Sequence, residues 1–154
     1  MAVCHDPEGA RFSIWQAIEH VGIKRSFEPN TLCWVEYMCR NASVSKKFYC
    51  QVLGFDTETV DMSEVGVAEY TQWMVAQQAI GGMMEMTEEF GDMESHWMLY
   101  FSVDDCDAMA AKADELGGKI CVPPTDIPDV GRFAVIDDPQ GGTFSIIKLS
   151  MPEC

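Results

Sequence analysis

Two internal repeats limit what this chain can fold into. The alternating triplet Val35-Tyr37-Cys39 returns as Leu99-Phe101-Val103 at an offset of 64 residues. Leu53-Gly54 returns as Leu116-Gly117 at an offset of 63, so the second copy has lost one residue in its helix. The spacing predicts the same element order twice. In the first copy a strand over 32–39 leads to a helix over 42–53, with Asn41 as N-cap and Gly54 as stop. Strands over 57–61, 67–75 and 79–86 follow. In the second copy a strand over 97–103 leads to a helix from Asp104/Asp105 to about Leu116, with Gly117 as stop. Strands over 119–122, 133–136 and 143–149 complete it. Val44, Phe48 and Val52 make the apolar stripe of the first helix, widened by Tyr49 and Leu53, and Met109, Ala113 and Leu116 make that of the second. Each unit therefore reads βαβββ.

The second repeat is sharper. Residues 1–16 match residues 133–148 at an offset of 132, with eight of sixteen positions identical. Ala2-Val3, Asp6-Pro7, Gly9 and Phe12-Ser13-Ile14 are the shared residues. The last hairpin of the unit thus stands a second time ahead of the first unit. The expected organisation is a hairpin remnant of an upstream copy plus linker over 1–28, then one domain over 29–150 with units 29–90 and 95–150. An orphan strand needs an edge to join. It is expected to pair with its own sheet or to exchange onto a second chain, which makes a homodimer.

Composition removes several function classes. Asp and Glu number 25 against 10 Lys and Arg, a net charge of −15 that repels nucleic acid and anionic lipid. Apolar residues make up 47% of the chain, too many for a disordered one. No apolar run approaches the roughly 20 residues of a membrane span. None of the seven cysteines forms a Cys-x-x-Cys pair, so zinc-ribbon and thioredoxin motifs are absent. Cys33, Cys39, Cys50 and Cys121 fall at apolar positions, as reduced and buried thiols do. Residues 1–9 lack the basic and apolar regions of a leader, and the expected location is cytoplasmic.

The pieces WVEYMCRNASVSKKFY, FYCQVLGF, GGMM, VDDCDAMAAKADELGG and DVGRFAVIDDPQGGTFSI, in this order, resemble the glyoxalase/bleomycin-resistance/dioxygenase group, the vicinal oxygen chelate superfamily. The match covers about residues 29–149 and is closest to paired-domain glyoxalase-like proteins. The resemblance implies an α+β fold of two βαβββ units forming a curled mixed sheet around a cavity. Metal-dependent members place His, Gln or Glu ligands on inward strand positions. Carried over residue by residue, those slots fall on Trp34, Met98, Ser145 and Glu85. Indole, thioether and hydroxyl groups bind a hard divalent ion poorly or not at all. The resemblance thus implies the fold without the usual metal site, and no cofactor.

Alternation along the strands gives an inward set of its own: Trp34, Glu36, Met38, Met83, Glu85, His96, Met98, Tyr100 and Ser145. Apolar walls with sparse polar anchors suit a small apolar or aromatic ligand. Trp34, Glu36, Met38, Met83, Met98, Tyr100 and Ser145 are its candidate contacts, while the same methionines would also serve as core. Glu36 is costly to bury unpaired. It reads as a ligand anchor or general base, alone or with His96 or Tyr100, or as the ion-pair partner of Arg132 or Lys148. Arg132 itself would meet an anionic ligand or cover Asp137, beside a bend at Gly131. The alternative is a lyase, isomerase or dioxygenase with one divalent metal ion on Glu36, Glu85 and His96, where His96 otherwise reads as a strand-end surface residue. A third reading is a degenerate domain kept for assembly.

Overall fold

The computed structural model describes residues 1–63 and 67–150. A short hairpin, β1 (Ala2–His5) and β2 (Arg11–Ile14), comes first. It is followed by β3 (Leu32–Cys39), α1 (Ala42–Leu53), β4 (Asp56–Met62), β5 (Val67–Val75) and β6 (Gln78–Glu85). The second half runs β7 (His96–Ser102), α2 (Cys106–Glu115), β8 (Lys119–Ile127), β9 (Gly131–Asp137) and β10 (Thr143–Leu149). The chain divides into two units, residues 1–24 with 35–97, and residues 25–34 with 98 onward. Strand order is β4-β5-β6-β3 in the first and β7-β10-β9-β8 in the second. The outer pairs are antiparallel, while β6 runs parallel to β3 and β10 parallel to β7. The α+β fold of two βαβββ units is the one expected. No helix of the described residues is long and apolar enough to cross a membrane.

Local cap chemistry sets the helices. Asn41 Oδ1 accepts from the Val44 amide at 3.1 Å, and Gly54 closes α1 at φ +70°. Asp105 Oδ1 accepts from Ala108 at 3.0 Å to start α2. The buried faces keep part of each expected stripe. In α1 Tyr49 is buried and Phe48 partly buried as expected, Ser45 is buried as well, and Val44, Val52 and Leu53 are exposed. In α2 the buried residues are Cys106 and Ala110, Met109 and Ala113 are partly buried, and Leu116 is exposed. Cys33 and Cys39 are buried as expected, Cys50 is partly buried and Cys121 is exposed; Cys154 lies outside the described residues.

The hairpin covers Ser45 and Tyr49 of α1. β1 and β2 pair with each other alone, in a two-stranded sheet, rather than joining the sheet of their own unit. The turn between them docks against α1. Asp6 Oδ2 accepts from the hydroxyls of Tyr37 at 2.5 Å and Tyr49 at 2.8 Å. Its Oδ1 accepts from the amides of Glu8 and Ala10, each at 2.9 Å. Tyr49 also accepts from Trp97 Nε1 at 3.0 Å, and the rings of Phe12, Tyr37, Phe48, Trp73 and Trp97 lie 5.1–5.7 Å from its own. Such ring pairs contribute about 0.5–1.5 kcal/mol each beyond burial. Tyr49 is fully buried by these partners, while Val44 and Val52 stay exposed.

The repeated turn is the same object in both places. Asp138 takes amides from Gln140 and Gly142 on Oδ1 at 2.8 Å, as Asp6 does from Glu8 and Ala10. Gly9 and Gly141 both sit at φ +87°, where a side chain is strained.

Gly131 begins β9 directly after the turn at 128–130. At φ +153° an added Cβ would meet the Lys148 carbonyl oxygen at 2.3 Å, across the β9–β10 pair. Gly131→Ala is expected to lower the unfolding free energy by about 1–3 kcal/mol, measured by urea denaturation. An unchanged midpoint would show that the backbone there moves aside at no cost.

Candidate functional site

The pairing of β3 with β6 decides which side chains meet in the first unit. Tyr37 lies opposite Met83 and Cys39 opposite Glu85. Tyr37, Cys39 and Met83 belong to the core under α1, with Met83 only 1% exposed. Met83 and Glu85 are therefore on the helix side, which corrects their expected place on the inward face. Glu85 accepts from the Ala42 amide at 2.8 Å, a carboxylate at the positive end of a helix.

Glu36 and Met38 lie on the other face, opposite Gly82 and Met84. Antiparallel pairing brings Tyr70 next to Met84 and Gln72 next to Gly82. Glu36 is 8% exposed, and the Tyr70 hydroxyl donates to its Oε1 at 2.8 Å. Burial of a carboxylate is offset when donors satisfy it. Arg132, one of the two expected partners of Glu36, is taken elsewhere: it holds Asp107 through two bonds of 2.7 and 2.8 Å and Asp126 at 3.0 Å. Nor does Arg132 cover Asp137, which accepts from Thr143 instead. Tyr70 and Met84 were not among the expected contacts. Their places follow from the register of β5 on β6, which no local motif encodes.

His96 is half-buried and its Nδ1 donates to the Glu94 carbonyl at 2.8 Å. Glu36 and Glu85 stand on opposite faces of one sheet, so the set Glu36, Glu85 and His96 does not converge. Among the described residues no three His, Cys, Asp or Glu side chains are grouped to hold a metal. On the Glu36 face, β6 offers Gly82 and Met84, neither a ligand for a hard ion. The residues do not fit the divalent metal of the superfamily.

In the second unit, Ala134, Ile136 and Ile146 pack under α2. Ser145 points to the opposite face, with Tyr100 and Val135 as its strand partners. Its Oγ is fully buried and has no hydrogen-bond partner. Leaving such a hydroxyl unsatisfied costs about 1–3 kcal/mol. The rings of Tyr100 and Phe133 are 6.5 Å apart beside it. Met98 and Trp34 are half-buried. A separate groove of about 280 Å³ lies on the α2 side, lined by Phe101, Met109, Ala113, Leu116 and Phe144. It contains none of the expected contacts.

Comparison with known proteins agrees with this architecture. The model of the Glyoxalase/Bleomycin resistance protein/Dioxygenase superfamily matches residues 31–146. "Putative glyoxylase CFP32" of Mycobacterium tuberculosis (strain CDC 1551 / Oshkosh) is 38% identical over 148 residues, covering 96% of this chain and 55% of that protein. The anthracycline biosynthesis protein DnrV of Streptomyces peucetius is 34% identical over 149 residues, covering 97% of this chain and 52% of that protein. The chain thus spans about half the length of the curated relatives it matches. Methylmalonyl-CoA epimerase of Streptomyces coelicolor shares the fold, with a TM-score of 0.59 at 16% identity over 80% of this chain and 100% of that one.

The buried acids of the first unit and its neighbours have a titration signature. Burial first, and then the hydrogen bond to and charge of Asp6, hold the Tyr37 phenol far above its ordinary range. Burial likewise raises Tyr49. It pushes the Cys33 thiol up to about 11 and the Cys39 thiol up to about 12. In each case the folded chain holds the proton more tightly than the unfolded chain does. The resulting stability is fully present below the unfolded values of roughly 8.5–10 and is lost as pH rises through the folded ones. Urea midpoints are expected to be flat from about pH 7 to 8 and to fall steadily above about pH 9–10. Midpoints that stay constant to pH 11 would contradict the burial of these groups.

Proposed function

Because the chain belongs to the glyoxalase/bleomycin resistance protein/dioxygenase superfamily, we propose that it binds a small, flat, largely apolar aromatic compound and does so without a divalent metal. The observation that carries this reading is the buried Glu36–Tyr70 pair on the face opposite α1, framed by Met38 and Met84. Methionine side chains adapt to varied ring shapes. One carboxylate and one phenol supply the sparse polar anchors such a ligand needs. Glu36 would accept a hydrogen bond from a ligand hydroxyl while Tyr70 holds the carboxylate in place. On the second unit the face opposite α2 offers Tyr100, Phe133 and the orphan hydroxyl of Ser145, with Met98 and Trp34 as further apolar surface.

The ligand class draws support from the relatives named for anthracycline biosynthesis. Anthracyclines are fused-ring aromatic compounds bearing hydroxyl groups, the shape and chemistry the Glu36 face would take. The metal-free reading rests on residue type. The slots carried over from metal-dependent members hold Trp34, Met98 and Ser145, and Glu85 is engaged by α1.

Calorimetric titration with a hydroxylated anthraquinone tests the reading. Glu36→Gln and Tyr70→Phe are each expected to weaken binding about tenfold, which is roughly 1.4 kcal/mol. Glu85→Gln, on the opposite face, should leave affinity within about twofold. Equal losses in all three variants, or no binding by the parent protein, would overturn the site. Soaking with Ni, Mn, Fe or Zn followed by desalting should leave far less than one metal per chain. Retention near one equivalent, abolished by Glu36→Gln or His96→Ala, would restore the metal reading.

A further inference from the structure

The internal repeat gives the groove beside α2 a counterpart in the first unit. The strand triplets and the helix N-caps Asn41 and Asp105 share an offset of 64 residues. That offset sets Phe101 at the place of Tyr37, Met109 at that of Ser45, Lys112 at that of Phe48 and Ala113 at that of Tyr49. In the first unit this surface is filled. The Tyr49 ring is fully buried, and Phe12 of the hairpin lies edge-on to Phe48 and Tyr49 at 5.9 and 5.7 Å. The Asp6 carboxylate takes the Tyr49 hydroxyl at 2.8 Å. What occupies the first unit is thus an aromatic ring with a carboxylate beside it.

In the second unit the same surface is open. Alanine at the place of tyrosine leaves out the ring that would fill it, and none of residues 1–14 borders the groove. The space left is about 280 Å³. Phe101 and Phe144 line it edge to face, with ring centroids 6.0 Å apart at 81°. Met109 and Ala113 of α2 face them across the groove, and Leu116, 71% exposed, stands at the rim. An apolar guest would remove these side chains from water, which is favourable. Two polar residues also border the groove, Asn30 and Lys112. Lys112 makes no ion pair among the described residues, although acidic side chains outnumber basic ones 25 to 10.

We infer that this groove is a ligand site of its own, for a small carboxylate that carries one aromatic ring. The ring takes the space that Tyr49 and Phe12 fill in the first unit. The carboxylate meets the Lys112 ammonium, with the Asn30 side-chain amide as a further donor. Charge sets the sign of the guest, because an ammonium beside an apolar wall favours an anion. Volume sets its size. Sites for drug-sized ligands run from about 300 to 1,000 Å³, so this one takes a single ring rather than a fused-ring system. The groove shares no residue with the Glu36 face, and Ser145 points away from it to the opposite face of its sheet. The inference therefore stands or falls separately from the ligand reading above.

Titration of ¹³C-methyl-methionine protein with 3-phenylpropanoate tests it, the Met109 signal being identified by its loss in Met109→Leu. The Met109 methyl signal should shift saturably, with a midpoint below about 1 mM, while those of Met38 and Met84 stay in place. Lys112→Gln is expected to weaken 3-phenylpropanoate about tenfold and to leave the neutral 3-phenylpropanamide within about twofold. Ala113→Tyr, which puts the residue of the first unit into the second, should abolish the ligand-induced shift while far-UV circular dichroism is unchanged. Leu116→Ser, at the exposed rim, should weaken binding about threefold, and it decides the matter with Lys112→Gln if Ala113→Tyr fails to fold. A Met109 signal unmoved by about 10 mM ligand would overturn the site. So would equal binding of acid and amide by the parent protein, because Lys112 would then select nothing.

Discussion

Where β3 and β6 run parallel, Tyr37 stands opposite Met83 and Cys39 opposite Glu85. Strand side chains alternate, so this one pairing sorts the first unit into two chemical faces. Tyr37 goes beneath α1 and meets Tyr49, Trp97 and Asp6. Glu36, one residue earlier, goes to the other side and meets Tyr70. A slip of one residue would exchange the faces and bury the wrong carboxylate. Gly81 fixes the fit, since a Cβ there would meet the Val35 carbonyl oxygen at 2.7 Å.

The two carboxylates of β3 and β6 therefore have separate roles. Glu85 belongs to the fold, satisfying an amide at the start of α1. Glu36 is buried beside a phenol on the face opposite α1, where the proposed ligand site lies. Standing on opposite faces, the two cannot hold one metal ion together.

Much of the fold was legible in the sequence because it is written in local chemistry. Asn41 and Gly54 bound α1 at the residues expected, since a cap and a left-handed stop act within one turn. The repeated Asp-Pro-x-Gly turn was visible as an identity and proved identical in its hydrogen bonds. The failures have a different source. Gly81-Gly82-Met83-Met84 has no alternation to read, so its face is set by the neighbouring strand. Within the stripe of α1, Tyr49 is buried and Val44 and Val52 are not, and Ser45 joins Tyr49 because the hairpin supplies acceptors to both. Tyr70 meets Glu36 through strand register, and that is tertiary information.

The proposed ligand site lies on the Glu36 face and not beneath α1. Methionines report on both: Met38 and Met84 lie on the first, Met83 on the second. The most direct measurement is a methyl NMR spectrum of ¹³C-methyl-methionine protein, before and after adding a hydroxylated anthraquinone. The methyl signals of Met38 and Met84 should shift while that of Met83 stays in place. A shift confined to Met83, or none at all at saturating ligand, would contradict the account.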